Sequence, residues 1–80
     1  MHELGVLRHV IRTVEGVAQK NAIPRILYVT LEVGEASGFV PRYLEKLFPI
    51  AAEFATVTRD AQLRLVMVPG RGLVIRDIGY

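Results

Sequence analysis

The spacing of apolar residues changes repeatedly along this chain, and these changes limit what it can fold into. Over residues 3–20 apolar side chains recur at three- and four-residue steps, which predicts an amphipathic helix. Lys20 and Asn21 favour its end, because a cation suits the carbonyl end of a helix and asparagine tolerates left-handed geometry. From Arg25 to Val33 apolar residues alternate, which predicts a strand. The apolar face of that strand is expected to hold Leu27, Val29, Leu31 and Val33.

The rest of the chain repeats this change from a helical to an alternating pattern. Pro41 suits the first turn of a helix that reaches Phe54, and Pro49 is expected to kink or end it. Residues 62–68 (QLRLVMV) and 73–78 (LVIRDI) alternate again, and the PGRG between them can turn the chain. The aromatic residues of the helix are expected in the core: Tyr43, Phe48 and Phe54.

These patterns predict a single α/β domain over residues 1–80 with the order αβαββ. A strand, helix, strand sequence favours a parallel pair with a right-handed crossover. The third strand is expected to pair antiparallel with the second, as a hairpin. The predicted fold is a small mixed three-stranded sheet with two helices on one face, because the first strand has one consistently apolar side.

Length and composition exclude several classes of protein. Eighty residues hold one hydrophobic core at most, and an apolar content of 51% is enough to build it. No run of residues resembles a membrane span or a secretory signal, so we expect a soluble, cytoplasmic protein. The net charge of +2 comes from scattered residues, which argues against nucleic-acid binding. No catalytic or phosphate-binding motif is present, so we expect a binding protein and not an enzyme.

The first three residues, Met-His-Glu, bring several possible metal donors together. Because the chain has no cysteine, only imidazole, carboxylate and backbone ligands are available. The Met1 amine, the His2 backbone nitrogen and the His2 imidazole could occupy adjacent positions around a metal ion. Without a metal, Glu3 would favour the start of the helix through the helix dipole, and His2 would be a solvated side chain. The tripeptide alone allows both interpretations.

A second motif, GEASGFVP from Gly34 to Pro41, precedes the second helix. The chain thus resembles the nickel-binding domain of the HypA/HybF metallochaperones of nickel-iron hydrogenase maturation. The pattern of that family is M-H-E at the start and G-E-x-S-G-x-x-P ahead of the second helix. Both motifs occur in this chain, and their separation along the sequence is the one found in the family. The resemblance implies an α/β nickel-binding domain.

The resemblance also implies a site and partners. Its Ni(II) ligands would be Met1, His2 and Glu3, with Glu35 and Ser37 as possible supporting residues around the metal. Turn and cap chemistry explains Glu35 and Ser37 equally well. The implied acceptor of the nickel is a maturation GTPase or the hydrogenase large subunit.

Beyond Val68 the chain departs from the family. Members normally carry a zinc-binding lobe with two C-x-x-C pairs between the last two strands. The residues of this chain beyond Val68 include no cysteine, so no zinc is expected. IRDI could be a degenerate C-x-x-C, or GRGLVIRDI could be the closing strand. We prefer the second alignment, because the zinc lobe of the family commonly returns through a G-R-x-L segment. Some relatives carry an acidic residue where Val40 stands, and valine cannot bind a metal.

Two hypotheses about function therefore remain open. The first is a metallochaperone-like accessory protein that delivers Ni(II), and the second is a metal-free interaction module of the same fold. His9 is expected to be a surface residue, because two helical turns separate it from His2 by about 10 Å. The free edges of a small sheet favour pairing between copies, so we also expect a homodimer.

Overall fold

A computed structural model describes residues 2–80 of the chain. Its helices are α1 (Glu3–Lys20) and α2 (Pro41–Ala52), and its strands are β1 (Tyr28–Gly34), β2 (Gln62–Val68) and β3 (Leu73–Gly79). A short 3-10 helix, Thr56–Thr58, leads into β2 and was not anticipated from the sequence. The predicted order αβαββ and the mixed three-stranded sheet are confirmed.

Strand β1 lies in the centre of the sheet, between β2 and β3. It runs parallel to β2, with Val29 opposite Leu63, and antiparallel to β3, with Val29 opposite Ile78. The predicted hairpin between the last two strands is therefore wrong, since β3 pairs with β1. The central place of β1 agrees with its burial: Val29, Leu31 and Val33 are all 0% exposed, whereas no residue of β2 is buried.

The connection from β2 to β3 crosses the end of β1 at Gly34. The Gly34 amide donates to the Gly72 carbonyl at 2.7 Å, and the Ala36 amide donates to the Gly70 carbonyl at 2.8 Å. A Cβ atom at residue 34 would collide with the backbone of Gly70. Glycine is required here because only a bare backbone allows two chain segments to approach so closely.

The core lies between the sheet and one face of the helix pair. Helix α1 buries five apolar residues at the predicted helical spacing, whereas Leu4 and Val17, at its edges, are 36% and 40% exposed. Ile26 is fully buried and Leu27 is 49% exposed, the reverse of the predicted alternation. The cause is that β1 begins only at Tyr28, and the Ile26 amide donates to Val57 in the 3-10 helix. The buried residues of α1 are Leu7, Val10, Ile11, Val14 and Ala18, with Glu3 at its start.

Helix α2 differs from the prediction at its end and in its aromatic residues. It continues past Pro49 to Ala52, so the proline lies inside the helix on its exposed side. Phe48 is buried as predicted, but Tyr43 is 51% exposed and Phe54, beyond the end of the helix, is 58% exposed. Neither helix of residues 2–80 is both long and apolar enough to cross a membrane.

Helix α1 ends as predicted at Lys20, but the left-handed residue after it is Ala22, with φ 53°, and not Asn21. Asn21 instead donates from its side chain to the Val17 carbonyl at 2.8 Å. The Val17 carbonyl also accepts from the Asn21 backbone amide at 3.1 Å, so Asn21 holds the last turn of the helix with two hydrogen bonds.

The crossing at Gly34 gives a first testable prediction. Gly34→Ala should lower the free energy of unfolding by about 1–3 kcal/mol, because the new Cβ forces two backbone segments apart. The matched control is Gly16→Ala in α1, where an added Cβ meets nothing within 4 Å. That change should raise the free energy of unfolding by about 0.5–1 kcal/mol, since alanine is the better helix former. Urea unfolding followed by circular dichroism measures both, and equal stability of Gly34→Ala and the wild type would contradict the close crossing.

Candidate metal site

His2 occupies the position just before α1, with an exposed side chain. Its backbone is not helical (φ −100°, ψ 69°), and its side chain does not cap the helix. The Val6 amide donates to the His2 carbonyl at 3.1 Å, the first hydrogen bond of the helical pattern. The amides of His2 and Glu3 precede it and take no part in helical hydrogen bonding. An exposed imidazole therefore stands beside backbone nitrogens that the helix does not use.

Glu3 makes a long-range contact that the sequence did not reveal. Its Oε2 accepts a hydrogen bond from the Val40 amide at 3.1 Å, across 37 residues of chain, and the residue is only 5% exposed. Val40 is the residue just before α2, so the Glu3 carboxylate lies near the amino-terminal ends of both helices. The positive ends of two helix dipoles favour a negative charge at this place.

The hydrogen bond from Val40 also holds the pKa of Glu3 below its ordinary value of 4.5. Partial burial of the carboxylate works in the opposite direction, and the backbone amide of Glu3 itself helps to lower the pKa. A hydrogen bond to the charged form of an acid favours ionisation. Glu3 thus links the Met-His-Glu segment to the second motif as a carboxylate.

The loop from Gly34 to Pro41 is built by turn chemistry. The Ser37 hydroxyl accepts from the Phe39 amide at 3.2 Å, and the Ser37 amide donates to the Gly34 carbonyl at 3.0 Å. Gly38 has φ 83°, a conformation that favours glycine. The Glu35 side chain is exposed, and its amide donates to the Val68 carbonyl at 2.8 Å. These contacts account for Ser37 as a turn residue and give the Glu35 side chain no partner among residues 2–80.

Two other residues considered at the sequence level lie near this region. Val40 is 40% exposed and contributes its backbone amide to Glu3. His9 is exposed on α1, and its carbonyl accepts from the Thr13 hydroxyl at 3.0 Å.

The side chains of residues 2–80 do not form a metal site by themselves, because no three His, Cys, Asp or Glu side chains come together. The donors that the structure places at the start of α1 are the His2 imidazole and the main-chain nitrogen atoms beside it. Nitrogen donors in a tetragonal arrangement suit Ni(II). Met1, the remaining predicted ligand, lies outside the described residues.

The fold and the chemistry of this end of the molecule define a small α/β domain with a candidate binding site. Residues 1–73 match the family described as "Hydrogenase/urease nickel incorporation, metallochaperone, hypA". The chain belongs to the HypA family.

Relatives and solved structures agree with this assignment. The hydrogenase maturation factor HypA of Geobacter sulfurreducens is 40% identical over 72 residues, which are 90% of this chain and 62% of the relative. The factor of the same name from Trichodesmium erythraeum is 36% identical over 72 residues, 90% of this chain and 60% of the relative. The chain thus spans about three fifths of the length of these relatives.

The solution structure of the Ni metallochaperone HypA from Helicobacter pylori has the same fold. It superposes with a TM-score of 0.77 at 22% identity, covering 94% of this chain and 86% of that one. A second solution structure, of a HypA protein, superposes with a TM-score of 0.72 at 25% identity.

The contact between Glu3 and Val40 predicts a dependence of stability on pH. Because the pKa of Glu3 is lowered in the folded state, its carboxylate stabilises the fold above pH 4.5, and this contribution is lost as the pH falls through the lowered pKa. Glu3→Gln should remove this part of the pH dependence. The free energies of unfolding of wild type and variant should therefore converge in acid and differ at neutral pH. Urea unfolding between pH 7 and 3 measures the difference.

The matched control is Glu45→Gln, an exposed acid of α2. The free energy of unfolding of this variant should differ from that of the wild type by the same amount at every pH in this range. If the free energy of unfolding of Glu3→Gln also differs from that of the wild type by a constant amount, the Glu3 carboxylate does not stabilise the folded state as proposed.

Proposed function

We propose that this chain is a non-catalytic nickel-binding accessory module that holds Ni(II) as cargo at the start of α1. The proposed ligands are the Met1 amine, the His2 backbone nitrogen and the His2 imidazole. The observation that carries the proposal is the hydrogen bond from Val40 to Glu3, which fixes the backbone directly after His2 while its imidazole remains exposed. Membership of the HypA family supports the same assignment.

The proposed donor set fits the chemistry of Ni(II). An amine, the following amide nitrogen and the imidazole of the same residue close two fused chelate rings from two residues of chain. The Glu3 backbone nitrogen is proposed as a fourth donor, because no helical hydrogen bond uses it and its contact with the Glu3 carboxylate is local. The Glu3 carboxylate accepts from Val40, so its proposed role is to support the site and not to bind the metal. Glu35 and Ser37 are proposed as residues that hold the loop that carries Val40.

A site of this kind suits transfer of the ion. His2 is exposed, so an acceptor can reach the metal without unfolding the domain. By analogy with relatives named hydrogenase maturation factors, we propose that the acceptor is a maturation GTPase or the hydrogenase large subunit, in the cytoplasm.

A second candidate function is a metal-free interaction module of the same fold. The observation that favours it is Val40, whose side chain supplies no metal ligand at the loop. The two candidates differ in one measurable property, which is the binding of Ni(II) through the terminal amine.

Titration of Ni(II) into protein that begins at Met1 should show one ion bound per chain, with release of protons, because the nitrogen donors bind only when deprotonated. His2→Ala should abolish binding, and so should one extra residue before Met1, which turns the amine into an amide. His9→Ala is the matched control and should bind nickel as the wild type does. Calorimetry in two buffers of different ionisation enthalpy measures both the stoichiometry and the proton release.

The extension is the decisive variant because it retains every side chain. Nickel binding of unchanged strength after the extension would exclude the amine as a ligand. Absence of binding by the wild type itself would favour the metal-free interaction module.

A further inference from the structure

A groove with two arginines on its rim lies between α1 and the segment after α2. Arg8 and Arg12 stand one turn apart on α1, the floor is the buried Ile11, and the wall is Phe54. The groove has a volume of about 280 Å³. A second depression, of about 270 Å³, shares both arginines and extends towards Gly5 and His9. We call these two depressions together the α1 groove.

Neither arginine of the α1 groove forms an ion pair within residues 2–80. The ion pairs among residues 2–80 join Arg25 to Asp60 and Arg76 to Glu32, and neither includes Arg8 or Arg12. Two like charges one helical turn apart weaken a helix slightly. This pair therefore contributes positive charge at the surface and no ion-pair stabilisation to the fold.

Phe54 gives the α1 groove an apolar side. Its ring is 58% exposed, and the Arg8 guanidinium lies over it at 4.6 Å from the ring centre. This cation-π contact holds both side chains in place in the absence of a ligand. Aromatic residues and arginine are both enriched in protein interfaces, and arginine is among the residues that contribute most to binding.

From these observations we infer that the α1 groove binds an acidic segment of a partner protein, one that carries an apolar side chain beside its carboxylates. The carboxylates lie between Arg8 and Arg12, towards His9, and the apolar side chain packs on Ile11 and Phe54. Glu15, which lines the opposite end of the groove, repels a carboxylate there and so fixes the direction of the segment.

The printed sequence contains no acidic segment of this kind, because its eight acidic residues are scattered and no two of them are adjacent. The proposed occupant is therefore a segment of a different protein. Because the groove contains none of the proposed nickel ligands, this inference does not depend on the proposed function.

The test uses an acetylated, amidated peptide of glutamates around a single leucine, and a matched peptide with glutamine in place of glutamate. Titration into the ¹⁵N-labelled protein at low salt should shift the amide signals of α1 near Arg8 and Arg12 and that of Phe54. Arg12→Glu should weaken binding by about fivefold or more, because an attraction becomes a repulsion. Glu15→Gln should strengthen binding, and Phe54→Ala should weaken it without any change of charge.

Lys46→Glu is the matched control, since it makes the same charge change at an exposed position of α2 outside the groove. It should leave the affinity nearly unchanged. Equal loss of affinity in Lys46→Glu and Arg12→Glu would show that only net charge matters and would overturn the inference. Equal binding of the glutamine peptide, or signal shifts elsewhere on the molecule, would overturn it as well.

Discussion

The close crossing of two backbones at Gly34 is the constraint on which the other features of this domain depend. It takes the connection between β2 and β3 across the end of β1, so β1 becomes the central strand. The Glu35 amide donates to the Val68 carbonyl at the end of β2, and the Ala36 amide donates to the Gly70 carbonyl of the connection, so both hold the loop that leads to α2. That loop ends at Val40, whose amide binds Glu3 and fixes the start of α1. A constraint inside the sheet thus determines where His2 lies at the surface.

The elements of the fold could be predicted from the sequence because each has its own hydrophobic period. The neighbours in the sheet could not, since alternation identifies the faces of a strand and not the strand beside it. A turn sequence such as PGRG suggested a hairpin, but β1, whose apolar side chains are fully buried, lies between the other two strands and pairs with both. The reversal of Ile26 and Leu27 has a similar cause: the alternating pattern began before the strand did.

The candidate site was predictable only in part. Met-His-Glu and GEASGFVP could be recognised by resemblance, and the family match confirms the family to which they belong. The contact that joins them could not be predicted, because Glu3 already had a sufficient local explanation in the dipole of α1. The α1 groove was missed because Phe54 follows the helical spacing of α2 and was assigned to the core. Its exposure results from the end of α2 at Ala52, which the pattern did not locate.

The hydrogen bond between Glu3 and Val40 has a consequence for the entropy of metal capture. A free peptide terminus must lose backbone freedom when it closes around an ion, and this loss weakens binding. Here the residue after His2 is already held by a loop that supplies no donor to the metal. In the proposed site, the affinity for nickel therefore depends partly on the loop that ends at Val40. A partner that loosens this loop could release the ion without touching any of its ligands.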